Sequence, residues 1–257
     1  MSPYRWSGKT APHLDEPTIL RSGPTCIGKY GGNTRAGAHK NEDGLLVAHS
    51  PDGSWEFAVI ADAHESSESE QLVLDTLVNR LPEIEAVLNG NLAEAFDRLR
   101  IMLDEHFRDP AFLERSKQIR GECSCLIVAR KGRYVWWFSI GDCMLYLLHP
   151  DLMAFDQTML NQRNFYEWIG RDNTYDDEVA CYSTGTRRLR PGNNLIVMAT
   201  DGFVEPGIGY QRMFSEWMKE STSESTLERM TSDFLQRLHE RETIDSTTLI
   251  AWVATIE

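Results

Sequence analysis

Basic residues are scarce in this chain of 257 residues: 26 Lys and Arg stand against 39 Asp and Glu, a net charge of −13. A surface of that sign repels phosphate backbones, so nucleic acid is not an expected partner. Cysteine is also sparse. Cys26, Cys123, Cys125, Cys143 and Cys181 are an odd number spread over a long chain, which does not make a disulfide framework. No Cys-x-x-Cys pair with a nearby His offers zinc spacing. Reduced, buried thiols are expected instead, and with them the cytoplasm. Long apolar runs are missing. "YVWWFSI" is far too short to span a bilayer. The opening "MSPYRWSGKTAPHLDEP" lacks the apolar segment of a signal peptide. No repeat or low-complexity linker interrupts the chain. The expectation is a soluble, cytoplasmic monomer with no membrane contact.

What is present is enough for a core. Hydrophobic residues make up 41% and aromatics 10%, which argues against disorder. One domain over residues 1–257 is expected. "GLLVAH" and "WEFAVIAD" flank the turn "SPDGS" as a hairpin. "CSCLIVARKGRYVWWFSIGDCMLYLLHPD" divides into three strands at Lys131-Gly132 and Gly141-Asp142. "NNLIVMATDG" and "STTLIAWVATI" supply two more. Ser67 with Glu70 forms a capping-box pattern ahead of "QLVLDTLVNRL", and Ser225 with Glu228 forms another ahead of "TLERMTSDFLQRLHERE". Between them, Leu92, Ala95, Phe96, Leu99, Met102 and Leu103 keep helical spacing. Hairpin-length connections with helices grouped between strands imply an α+β fold of antiparallel sheets covered by helices.

The acids fall at informative places. Asp43 precedes "GLLVAH", Asp62 ends "FAVIAD", Asp142 splits "SIGDCMLYLL", Asp201 ends "LIVMATD", and Asp245 precedes "STTLIAWV". A lone Asp at a strand end is usually a turn former or helix cap. Five beside buried strands suggest something more. Carboxylates gathered at buried sheet ends suffer desolvation and mutual repulsion unless a cation neutralises them. Oxygen donors favour a hard divalent ion, Mg2+ or Mn2+.

At these residues a resemblance enters. "NEDGLLV", "AVIADAH", "GECSCLIVA", "SIGDCMLYLL", "LIVMATDGFVE" and "IDSTTLIAWV" resemble, in order and rough spacing, the motifs of the protein phosphatase 2C family of metal-dependent serine/threonine phosphatases, bacterial type. The likeness covers about residues 28–257, leaving 1–27 as an N-terminal extension or edge segment. It implies a four-layer αββα sandwich of two antiparallel sheets flanked by helices. It also implies two divalent cations, Mn2+ or Mg2+, and a phosphorylated Ser/Thr protein as substrate. By resemblance, Asp62 bridges the ions, Asp201 and Asp245 complete one set of ligands, and the Ala63 carbonyl and Glu42 serve the other. Asp43 hydrogen-bonds metal-bound water, a bridging hydroxide attacks phosphorus, and His64 protonates the leaving oxygen. Asp142 supports the site from behind.

The chain departs from the family pattern in three places. Asp62-Ala63-His64-Glu65-Ser66-Ser67 lacks the usual glycines, and a left-handed Ala63 would cost on the order of 1 kcal/mol. The Arg that grips phosphate in the family is missing before Asn41, leaving Lys40, His39 or Arg35 as substitutes. Lys is a point charge without the guanidinium fork. Asp245-Ser246 stands where Asp-Asn is common, and no acid before Gly121 suggests a further ion. These departures keep two alternatives open: a phosphatase-fold adaptor with impaired catalysis, and a phosphatase of a small phosphorylated metabolite. Between Asp142 and Asp201 lies the family's variable flap, where Arg163, Tyr166, Trp168 and Arg171 are candidates for peptide contact.

Overall fold

The computed structural model describes residues 3–204, 210–220 and 224–257. Its strands, in chain order, are Tyr4–Ser7 (β1), Thr18–Ser22 (β2), Thr25–Tyr30 (β3), Asp43–His49 (β4), Trp55–Ala63 (β5), Glu122–Lys131 (β6), Tyr134–Ile140 (β7), Met144–Leu148 (β8), Ile169–Gly170 (β9), Ser183–Arg188 (β10), Gly192–Ala199 (β11) and Thr247–Ile256 (β12). The α-helices are Glu68–Asn89 (α1), Leu92–Phe107 (α2), Pro110–Gln118 (α3), Pro150–Met153 (α4), Tyr210–Glu220 (α5) and Glu224–Glu240 (α6).

Two sheets form. The first runs β1-β4-β5-β6-β7-β10, with β9 also on β6; the second runs β2-β3-β12-β11-β8. All the pairings are antiparallel. Side chains alternate across each strand, and the alternation assigns them to three apolar layers. From β4 and β5, Leu45, Val47, Ala58 and Ile60 meet Ile196, Met198, Ile250 and Trp252 between the sheets. Leu46, Phe57, Val59 and Ala61 point the other way, under Leu77 and Leu81 of α1 and Leu99 and Phe107 of α2. Leu249 and Ala251 of β12 lie under Trp217 of α5 and Met230 and Phe234 of α6. The order is therefore helices, sheet, sheet, helices: the α+β sandwich expected. Each large apolar side chain buried this way contributes about 1.5–3 kcal/mol relative to exposure.

The N-terminal residues are integral to both sheets. β1 edges the first sheet through Tyr4↔Val47 to Ser7↔Gly44, and β2 edges the second against β3. The short polar β10 edges the first sheet at its other side, paired with β7.

The capping box at Ser67 does not form. Ser67 has φ −74° and ψ 8°, outside the extended geometry of a cap, and makes no side-chain cap bond. The Ser66 hydroxyl instead accepts from Glu68 N–H at 3.3 Å. Glu70 turns inward, accepting from the Ser7 hydroxyl. α6 begins at Glu224, so Ser225 falls within it, and its side chain lies outside the described residues.

Candidate active site

The β4–β5 hairpin builds the site's first half. Ser50 Oγ accepts from Trp55 N–H at 3.0 Å and Gly53 takes φ 70°, closing the turn. That closure fixes the register as Asp43↔Asp62, so both acids reach the same end of the first sheet. On the next strand Asp62 faces Ser124.

The second half comes from β11 and β12. Asp201 follows β11 and Asp245 precedes β12, at the same end of the second sheet. Thr200 N–H donates to the Thr248 carbonyl at 3.1 Å, and its hydroxyl accepts from Thr248 N–H at 2.9 Å. Gly202 packs so closely on the Ser246 carbonyl that a Cβ there would lie 2.1 Å from its oxygen. Only glycine lets the turn carrying Asp201 sit against residue 246.

Asp43 joins the halves. It is wholly buried and accepts from Ser246 Oγ at 2.9 Å, Thr248 Oγ1 at 2.7 Å and Thr200 Oγ1 at 3.2 Å, all from the second sheet. Burial pushes its carboxyl up to about 6, against the lowering effect of those hydroxyls. Ser246 thus does more than neighbour Asp245. Sequence inspection missed these three hydroxyls; their signal was adjacency to Asp201 and Asp245.

A cavity of about 740 Å³ opens at this end. Asp62, Ala63, His64, Asp201 and Asp245 line it, and so do Glu42, His39 and Lys40. Asp43 and Asp142 do not line it, and neither does Arg35, which is exposed on the 34–36 turn near Asp15. Lys40 is ion-paired with Glu42 and donates to the Glu65 carbonyl at 3.5 Å. Asp142 accepts from Ser124 Oγ at 2.6 Å and pairs with Arg163 Nη2 at 3.3 Å, so it braces the residue opposite Asp62.

The loop after Asp62 differs from expectation. Ala63 is the last residue of β5, extended and paired with Cys123, so it carries no left-handed strain. The left-handed position is Glu65, with φ 67°. Gly121, at φ 75°, lies against the His64 carbonyl; a Cβ there would be 1.9 Å from that oxygen. His64 N–H donates to the Glu122 carbonyl at 2.8 Å, and the His64 ring meets the edge of Trp168 at 4.9 Å and 73°. Of the flap residues, Trp168 therefore reaches the site wall, while Tyr166 is 88% exposed. Trp168 had no stronger signal in the sequence than its neighbours.

The acids gathered here offer oxygen donors, the kind a hard cation takes. Burial raises the Asp62 carboxyl well above its ordinary value, and the charges of Asp43, Asp201 and Asp245 raise it further. Such a group either holds a proton or faces positive charge. Among the described residues no three His, Cys, Asp or Glu side chains are drawn into a closed cage.

Two antiparallel sheets between helical layers, with acids gathered at one end, define the fold of the protein phosphatase 2C type, and the chain has this fold. It is similar to the crystal structure of a bacterial serine phosphatase at TM-score 0.64 and 14% identity, covering 91% of this chain and 98% of that one. RsbX in complex with magnesium matches at TM-score 0.58 and 13% identity, covering 93% and 100%. A serine/threonine phosphatase from Staphylococcus aureus matches at 0.62 and 15%, covering 91% and 94%. No family model and no curated protein sequence matches the chain. No helix among the described residues is long and apolar enough to cross a membrane.

Proposed function

We propose that the chain is a metal-dependent phosphatase acting on phosphoserine and phosphothreonine in proteins. The observation that carries this is Asp62: buried, at a strand end, within electrostatic reach of Asp43, Asp201 and Asp245, and lining an open cavity. Asp62, Asp201, Asp245, Glu42 and the Ala63 carbonyl would hold two divalent cations, Mn2+ or Mg2+. Those ions would lower the pKa of water for attack on phosphorus and offset charge on the phosphate oxygens.

The chain's own residues supply the rest. His64, steadied by Trp168 and by the hydrogen bond from its backbone N–H to the Glu122 carbonyl, would give a proton to the departing serine or threonine oxygen. His39 and Lys40 would face the phosphate, with Lys40 shared between it and Glu42. Asp43 and Asp142 act through others: Asp43 locks the sheets together, and Asp142 holds Ser124.

One observation favours a second reading, an adaptor that binds phosphopeptides without cleaving them. No arginine is among the described residues lining the cavity. Phosphopeptide hydrolysis with Mn2+, and with chelator as control, separates the two. Turnover that needs the ion and disappears in Asp201→Asn supports the phosphatase. Phosphopeptide binding without turnover under any ion supports the adaptor. Faster turnover of sugar phosphates than of phosphopeptides would instead assign a metabolite substrate.

A further inference from the structure

β10 is the last strand on its side of the first sheet and pairs only with β7. Among the described residues, its backbone makes no other backbone hydrogen bond. Thr186 stands opposite Trp136 and Arg188 opposite Tyr134, so these four share the helix-side face. α2 covers that face as far as Trp136, on which Phe96 stacks at 6.3 Å. Beyond Phe96 the cover stops. A cavity of about 490 Å³ opens there, lined by Leu92, Ala93, Phe96, Tyr134 and Thr186 together with Asn91 and the exposed Asp97.

Charge at this corner runs against the rest of the molecule. Arg133, Arg188 and Arg190 are exposed, and Leu189 N–H donates to the Arg133 carbonyl at 2.9 Å, which brings the three positions together. None has a side-chain partner among the described residues. Some arginines elsewhere are ion-paired, Arg5 with Asp75, Arg80 with Glu83 and Arg108 with Asp104. Against Asp97, the one acid in the cavity lining among the described residues, three neighbouring exposed arginines leave a local excess of positive charge.

We propose that this corner docks an extended acidic segment of a partner protein. The segment would add to β10 as a further strand, set one apolar side chain into the cavity beside Phe96 and Tyr134, and lay carboxylates on Arg133, Arg188 and Arg190. Edge backbone supplies affinity in such pairing, and side-chain pockets supply selectivity. The arginines speed encounter and reject basic segments. The corner lies at the far end of β7 from Ile140, whose partner Cys125 adjoins Ser124 and the catalytic end. A docked partner therefore leaves the large cavity open.

Positive charge on an edge strand can also serve only to keep copies of a chain apart. The test distinguishes this. The probe is a fluorescein-labelled octapeptide alternating Glu with Val and carrying one central Leu, followed by anisotropy. Its controls are the same peptide with Gln for Glu and one with Pro at alternate positions. Binding at least tenfold tighter than either control is expected. A tenfold or greater loss is expected in the Arg133→Glu, Arg188→Glu double variant, and also in Ala93→Trp, which fills the cavity mouth from an exposed helix position without altering charge. Small-phosphoester turnover, where the wild type has it, is unchanged in both. Equal affinity for the acidic and Gln peptides, or binding indifferent to both variants, overturns the proposal. So does self-association of the charge-reversed variant with no effect on peptide binding.

Discussion

Thr248 donates its hydroxyl hydrogen to Asp43 across the gap between the two sheets, at 2.7 Å. Thr248→Val keeps the shape and removes the donor. Asp43 then remains buried with only Ser246 and Thr200 as side-chain donors. Loss of a hydrogen bond to a buried charged group costs about 1.5–3 kcal/mol. Denaturant unfolding should report a fall of that size, with phosphoester turnover falling as well because the sheets carrying Asp62 and Asp201 lose their tie. Unchanged stability would remove the tie from the design.

Asp62→Asn should act in opposite directions with and without metal. In chelator the variant sheds a buried charge opposed by Asp43, Asp201 and Asp245 and should melt at or above the wild-type temperature. With added Mn2+ the wild type should gain thermal stability by ligand binding and the variant should not. Thermal melts with and without the ion check both halves.

Glu70 gives a pH signature. Its carboxyl is fully buried, Oε2 has no hydrogen-bond partner, and burial pushes its pKa from about 4.5 up to about 8. Between those values the folded state holds a proton that the unfolded chain has released. Stability therefore falls as pH rises from about 4.5 to about 8, with a slope of up to about 1.4 kcal/mol per pH unit from this group. Glu70→Gln should flatten that part of the profile, measured by urea unfolding at several pH values. An identical profile in the variant would assign the slope to other groups.

Gly121→Ala should damage the His64 loop. The new methyl meets the His64 carbonyl, and φ 75° disfavours any side chain. A cost of about 1–3 kcal/mol is expected, together with reduced turnover from a displaced His64. A melt and a turnover assay on one preparation test the two effects together.

The strands with long apolar runs were legible because helices cover both outer faces, so neither side of β5, β6 or β12 needs polar alternation. Asp43, Asp62, Asp201 and Asp245 could be picked out as acids abutting such runs. β1, β2 and β10 could not be read, since edge strands bury little and β10 alternates polar and small residues. The Glu70 capping box misled because spacing alone does not say which way a side chain turns, and Ser7, 63 positions away, decided it. The hydroxyls around Asp43 escaped for the same reason: they come from 157 to 205 positions downstream.

The position of β12 governs the order of assembly. The β4-β5-β6-β7 part of the first sheet closes through neighbours in sequence apart from the helical excursion between β5 and β6. The second sheet instead places residues 247–256 at its centre, between β3 and β11, with Cys26 opposite Ala251. Loop closure over such a span is slow, and β3 stays unpaired on that side until it happens. During synthesis the first sheet has its local partners early, while β3 and β11 wait for the same late strand. Residues 245–248 arrive with that strand, so the acid cluster is completed by the step that completes the fold.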